Sequence, residues 1–151
     1  MTQPDELPAQ WIELRLDSRL ENLDLVGGAV GGIAAALGFA ESARYHLELC
    51  AVEAVTNSIR HAYHEVPGQP VRVRIVASAE RFELQIADRG TPIPEARRAT
   101  PDRLDVDVAD PQSLLEGGRG LFLMHATMDE VSFRLEDGWN LVVLVKRRPP
   151  G

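Results

Sequence analysis

The sequence holds one cysteine in 151 residues, Cys50. No intrachain disulfide can form, no cysteine-rich zinc site can be built, and a reducing cytoplasm is the expected setting. Basic charge is also in short supply. Against 23 Asp and Glu stand 16 Lys and Arg, a net charge of -7, which leaves no broad basic face for direct contact with nucleic acid. Long apolar runs are missing too: the longest, Leu25 to Ala40, falls short of a membrane span and holds five glycines. The first ten residues lack the basic and apolar stretches of a signal peptide, so neither export nor membrane insertion is expected. No internal repeat and no shift in composition marks a second domain. Residues 1–151 are expected to form one domain, with a loose leader over 1–10. What is present is ordinary globular material, 44% hydrophobic and 26% charged, enough for a real core.

Hydrophobic periodicity sets out the elements. Ile12, Leu14 and Leu16 alternate with Trp11, Glu13 and Arg15, the pattern of an opening strand. Leu23, Val26, Val30, Ile33 and Leu37 recur at three and four residues and predict a helix over Leu20 to Leu37. Its glycines, in Gly27-Gly28-Ala-Val-Gly31-Gly32, cost helix propensity and could permit close packing; no Gly-Lys-Ser/Thr follows, so this is not a phosphate loop. A second helix is expected from Glu41 to Tyr63. Leu47, Ala51, Val55, Ile59 and Ala62 fall on its core arc, while His46, Glu53, Asn57 and Arg60 gather opposite. Val71/Val73/Ile75 and Phe82/Leu84/Ile86 read as two strands joined at Ser78 to Arg81. From Thr91 to Gly117 the pattern vanishes into a long loop of the kind that forms lids. A short helix, Leu121 to Met128, and a hairpin turning at Asp137-Gly138 complete the chain.

Three motifs could carry chemistry. Glu53 and Asn57 are four apart on a helix, so their side chains are neighbours that could supply a general base and a neutral oxygen ligand for magnesium. The alternative is a solvated polar stripe. Asp88-Arg89-Gly90 ends a strand; its carboxylate could accept from an exocyclic amine, and Gly90 would admit a flat ring, unless the triplet is only a turn. Gly117-Gly118-Arg119-Gly120 opens the short helix, where free N–H groups suit phosphate oxygens, or where a flexible connector would serve. The four histidines make no close metal-binding set, and Cys50 suits a small packed hydrophobe.

In this order, Glu-x-x-x-Asn on a helix, strand-end Asp-x-Gly, a lid and Gly-x-Gly opening a helix, the chain resembles the Bergerat-type GHKL ATP-binding fold. Within that fold it is similar to the anti-sigma factor and serine-protein kinase family, the switch kinases of bacterial partner-switching systems. The likeness rests on Glu53-Ala-Val-Thr-Asn57, Asp88-Arg-Gly90-Thr-Pro92, Gly118-Arg-Gly120-Leu121-Phe-Leu-Met124 and Met128-Asp-Glu-Val131, and it runs from Trp11 to Lys146. The resemblance implies an α/β two-layer sandwich: a mixed, mainly antiparallel sheet with helices on one face and an ATP lid over 91–117. It implies Glu53 as base toward a protein hydroxyl and Asn57 as the Mg2+ ligand. Asp88 would meet the adenine amine, Gly90 would line its pocket, and Gly118, Arg119, Gly120 and Leu121 would attend the phosphates. Asn140 stands where the family usually has a small hydroxyl residue, beside the nucleotide. Pro92 replaces a second glycine and stiffens the start of the lid.

The cofactors implied are ATP and Mg2+, and the substrate is a STAS-type anti-sigma-factor antagonist. A sigma factor is a further implied partner, and homodimerisation is expected. Magnesium, backbone donors and one base suffice for phosphoryl transfer, which needs mainly positioning and charge neutralisation. Two readings compete with the kinase: a non-catalytic, nucleotide-dependent module that sequesters a sigma factor or response protein, and a plain ATPase. A histidine kinase would need a dimerisation helix for which 151 residues leave no room.

Overall fold

The computed structural model describes residues 9–98 and 119–149. Residues 1–8 of the expected leader, Gly117 and Gly118, and the expected lid beyond Arg98 lie outside the described residues. Five strands form one sheet: β1 (Gln10–Asp17), β2 (Pro70–Ala77), β3 (Arg81–Asp88), β4 (Glu130–Glu136) and β5 (Trp139–Arg147). Their order is β1-β2-β3-β5-β4, and every neighbouring pair is antiparallel. The mixed sheet expected narrows to its antiparallel part. Among the described residues three α-helices accompany the sheet: α1 (Leu23–Ala36), α2 (Glu41–Asn57) and α3, described over Arg119–Thr127.

Alternation decides which face is covered. Val71, Val73 and Ile75 of β2 and Phe82, Leu84 and Ile86 of β3 are buried with Val30, Leu47, Val55 and Met124 from the helices in one cluster. Helices therefore lie on one face of the sheet. Burying side chains of this size contributes about 1.5–3 kcal/mol each. Phe39 and Phe82 meet edge to face, with centroids 5.6 Å apart. The outer face keeps the polar partners of the alternation. There Trp139 stacks under Arg72 at 3.9 Å and Arg89 at 4.9 Å, and Arg74 lies over Trp11 at 4.7 Å.

The glycines of α1 divide into two pairs. Gly27 and Gly31 face α2: a Cβ on Gly27 would lie 3.3 Å from Val52, and one on Gly31 would run into the Glu48 side chain. Gly28 and Gly32 face open space. Only the first pair serves close helix packing.

Helix boundaries differ from expectation in three places: α3 is already helical at Arg119, two residues before its expected start, and the other two concern α1 and α2. The first helix starts after a single 3-10 turn at Leu20–Asn22. The second ends its α geometry at Asn57 and widens into a π turn, Ser58–Ala62, closed by the Tyr63 N–H to the Ser58 carbonyl at 3.0 Å. Such wide turns are uncommon and gather at functional sites. His64 and Glu65 then adopt left-handed backbone, φ 52° and 62°, and break the helix before Pro67. Asp137 and Gly138, φ 50° and 81°, make the tight β4–β5 turn that an Asp-Gly pair favours. No described helix is long and apolar enough to cross a membrane.

Candidate nucleotide site

Pairing of β3 with β5 places Asp88 directly opposite Asn140, on the helix-facing side of the sheet. The end of α2 and the start of α3 close the other walls, leaving a cavity of about 940 Å³. Glu53, Asn57, Asp88, Gly90, Gly120 and Asn140 all line it, as do Arg119 and Leu121. The candidate residues named from sequence within the described range therefore converge on one space.

One end of the cavity is organised around Asp88, 8% exposed. Its Oδ1 accepts from the Gly90 N–H at 3.0 Å and from Asn140 Nδ2 at 3.0 Å, and its Oδ2 accepts from Ser58 Oγ at 2.7 Å. Asn140 Nδ2 also donates to the Gly90 carbonyl at 2.8 Å. Beside this cluster the Tyr63 hydroxyl accepts the Arg89 N–H at 2.6 Å and donates to the Pro70 carbonyl at 2.6 Å. Burial, with the Asp88 charge adding to it, pushes the Tyr63 phenol above its ordinary range against the opposing bond from Arg89, so it stays a donor. Gly90 is required for a reason the sequence does not suggest. A Cβ there would collide with the Ala62 carbonyl, and the next N–H, of Thr91, donates to that same carbonyl at 2.9 Å.

The other end brings the helix motif and the glycine motif into contact. A Cβ on Gly120 would lie 3.0 Å from Glu53 Oε2 and 3.6 Å from Asn57 Nδ2, so the α3 backbone rests directly on both side chains. Gly120 is buried while Arg119 is exposed at the cavity wall. Leu121 lines the cavity too, but its side chain belongs to the hydrophobic cluster, leaving its backbone as the group available to a ligand. Arg60 lines the cavity from the π turn and stays exposed, 3.8 Å from Glu65. His46, on the same expected arc, does not reach the cavity; its ring tilts against Tyr45 at 6.2 Å. Cys50 is fully buried, 3.2 Å from Thr127 Oγ1, and burial, reinforced by the Glu53 charge, holds its thiol above the ordinary range. That is a packed thiol, not a nucleophile.

Sequence reasoning missed Ser58 and Tyr63. A signal for Ser58 was available: it lies three residues after Val55 on the core arc, and a polar group on a buried arc needs a partner. Nothing in the sequence names that partner as Asp88, thirty residues on.

Glu53 and Asn57 on one wall, the hydrogen-bonded Asp88 carboxylate on another, and the antiparallel sheet with its helices make an α/β domain with a polar-lined cavity. Comparison with known proteins agrees. The family described as histidine kinase-like ATPase domain matches residues 16–146. The chain is 30% identical over 133 residues to a serine-protein kinase RsbW of Listeria monocytogenes serovar 1/2a, covering 87% of this chain and 84% of that protein. Proteins of the same name from Bacillus licheniformis and Bacillus subtilis strain 168 are 30% and 28% identical, each over 86% of this chain and 81% of their own length. The chain belongs to the histidine kinase-like ATPase domain family, in the group of the RsbW serine-protein kinases.

Proposed function

We propose that this protein is an ATP- and Mg2+-dependent protein serine/threonine kinase and anti-sigma factor, acting in the cytoplasm on a STAS-type anti-sigma-factor antagonist. The observation that carries this reading is the seat of Gly120 on Glu53 and Asn57. It joins a carboxylate, an amide and a helix backbone in one wall of a cavity whose far end presents a fixed acceptor.

The residues fit the groups proposed. ATP would supply the phosphoryl group, and Mg2+ would neutralise its developing charge. Magnesium takes few protein ligands and keeps phosphate oxygens and waters, which suits the single amide of Asn57. Gly120 adds no side chain of its own to this wall, so its backbone would meet phosphate oxygens directly, with Gly118 and Leu121 as further backbone donors. Asp88 would hold the purine amine, with Gly90 and Asn140 fixing it there. Arg119 stands at the wall as a cation toward a terminal phosphate. Glu53 would take the proton of the acceptor serine or threonine as the hydroxyl oxygen bonds to the γ-phosphorus and ADP departs with the bridging oxygen. Phosphorylation would release the antagonist and free the protein to hold a sigma factor, with residues 91–117 as the lid of one domain that pairs as a homodimer.

Incubating the protein with a STAS-domain protein from the same organism and γ-labelled ATP should label the STAS protein on a hydroxyl side chain. ATP binding and complex formation without transfer would overturn the kinase reading. They would favour instead the sequestering module that uses nucleotide only as a conformational ligand.

A further inference from the structure

The face of the sheet turned away from the helices runs against the charge of the whole. The chain carries a net charge of -7, yet Arg15, Arg72, Arg74 and Arg89 share one region of that face with a single carboxylate, Glu13. Register causes the crowding: the pairing of β1 with β2 sets Arg15 opposite Arg72 and Glu13 opposite Arg74. Like charges directly opposite one another on a sheet are destabilising. Glu13, its side chain 17% exposed, relieves part of this at 3.7 Å from Arg15 and 3.8 Å from Arg72. The other two guanidiniums rest on rings instead. Arg74 lies over Trp11, and Arg89 shares the Trp139 ring with Arg72. Among the described residues no carboxylate lies within ion-pair distance of Arg74 or Arg89, and the Arg89 guanidinium donates only to the Asp137 carbonyl, at 3.5 Å. The flanking carboxylates are already taken, Asp17 by Arg19 at 2.7 Å and Glu136 by Arg134 at 3.4 Å.

Two arginines without an anion, beside two that share one, are complementary to added negative charge. A guanidinium takes a carboxylate through two parallel hydrogen bonds, and stacking on an indole holds its plane ready, which lowers the ordering cost of binding. We propose that this outer face of the sheet is a docking surface for an acidic segment of a partner protein. A protein suits the face better than nucleic acid does. The cluster is small and has Glu13 within it, and the acid excess of the chain repels a long polyanion. Trp11, 60% exposed, and Leu141, opposite Ala87 on the neighbouring strand, supply the apolar contact that protein partners use alongside arginine. The surface lies across the sheet from the nucleotide cavity and stands independently of the function proposed above.

The test is titration of the full chain with decaglutamate, read by tryptophan emission. Trp11 and Trp139 are the only tryptophans and both stand on this face, so the emission reports the sheet surface and not the cavity. Decaglutamate should shift the emission at about 50 mM salt and bind about tenfold more weakly at about 300 mM, as screening of exposed charges requires. The double variant Arg72→Gln, Arg74→Gln should raise its dissociation constant about tenfold, while calorimetric titration with ADP and Mg2+ matches the wild type. Arg15→Gln, at a side chain 74% exposed, should raise it about threefold and serves if the double variant fails to fold. Emission that does not change at low salt would overturn the proposal. So would variants that bind decaglutamate as the wild type does, or that lose ADP affinity in step with it. Decathymidylate binding more tightly than decaglutamate would overturn it in favour of single-stranded nucleic acid.

Discussion

The two ends of the cavity are built on different terms. Around Asp88 the protein pairs its polar groups with one another: Ser58, Gly90, Asn140, Tyr63 and Arg89 are joined by hydrogen bonds of 2.6 to 3.0 Å. Around Glu53 and Asn57 the side chains are half-buried and touched by backbone, with exposed arginines at the wall. A satisfied network is rigid and selects by shape and donor pattern. At the second end no hydrogen bond among the described residues engages the Glu53 or Asn57 side chain, which leaves both able to meet a ligand. On the function proposed, the first end would bind the nucleotide and the second would carry the reaction.

Changes at the satisfied end should cost most, since they leave buried groups unpaired or force backbone apart. Gly90→Ala sets a Cβ against the Ala62 carbonyl. Because that atom is backbone and cannot swing aside, a loss of about 3 kcal/mol is expected in urea unfolding, with nucleotide affinity falling too. An unchanged midpoint would show that the loop shifts freely and that the end is not rigid. Asp88→Asn should come next. Its amide N–H₂ would face the donors of Ser58, Gly90 or Asn140, and ADP affinity should fall by about 30-fold, roughly 2 kcal/mol, in the same calorimetric titration.

Tyr63→Phe should remove about 1 kcal/mol of stability by unpairing the Arg89 N–H and the Pro70 carbonyl. It carries a sign as well. The phenol is raised in the folded state, so its contribution is complete below the ordinary phenol range and is lost as pH climbs through the raised value. The wild type should lose more stability than the variant between neutral and strongly alkaline pH, as thermal melts would show. Smallest of all, Cys50 should react with iodoacetamide at neutral pH far more slowly than a thiol in the unfolded chain, since burial and the nearby Glu53 keep it protonated. Rapid labelling of the folded protein would show that the α2–α3 interface behind the reacting end opens.

The same division separates what is legible in the amino-acid sequence from what is not. Period-two alternation over 71–75 and 82–86 carries its own geometry, and those strands stand where it puts them. The four-residue spacing of Glu53 and Asn57 does so as well, because an α-helix fixes which residues are neighbours. The reacting end is therefore largely legible. The binding end depends on contacts that no local pattern encodes. Asn140 reaches Asp88 because β5 pairs with β3 in one register, fifty-two residues apart in sequence. Ser58 faces Asp88 across thirty residues, after a helix that the periodicity continues in α geometry through to Tyr63. Sequence alone offers Gly90 as room for a ring, whereas the structure needs it for the Ala62 carbonyl. Of the four glycines in α1, sequence does not say which two meet α2, since that depends on how the helix is turned toward its neighbour.

The division of labour is tested most directly by Glu53→Gln, assayed for both ADP affinity and phosphoryl transfer to the STAS protein. The exchange keeps the side chain's size beside Gly120 while removing its negative charge and its capacity to take a proton. Transfer should fall by a factor on the order of 10² to 10⁴, the usual contribution of a general base, while the ADP dissociation constant stays within about twofold. Transfer that survives the substitution, or affinity that falls in step with it, would contradict the account.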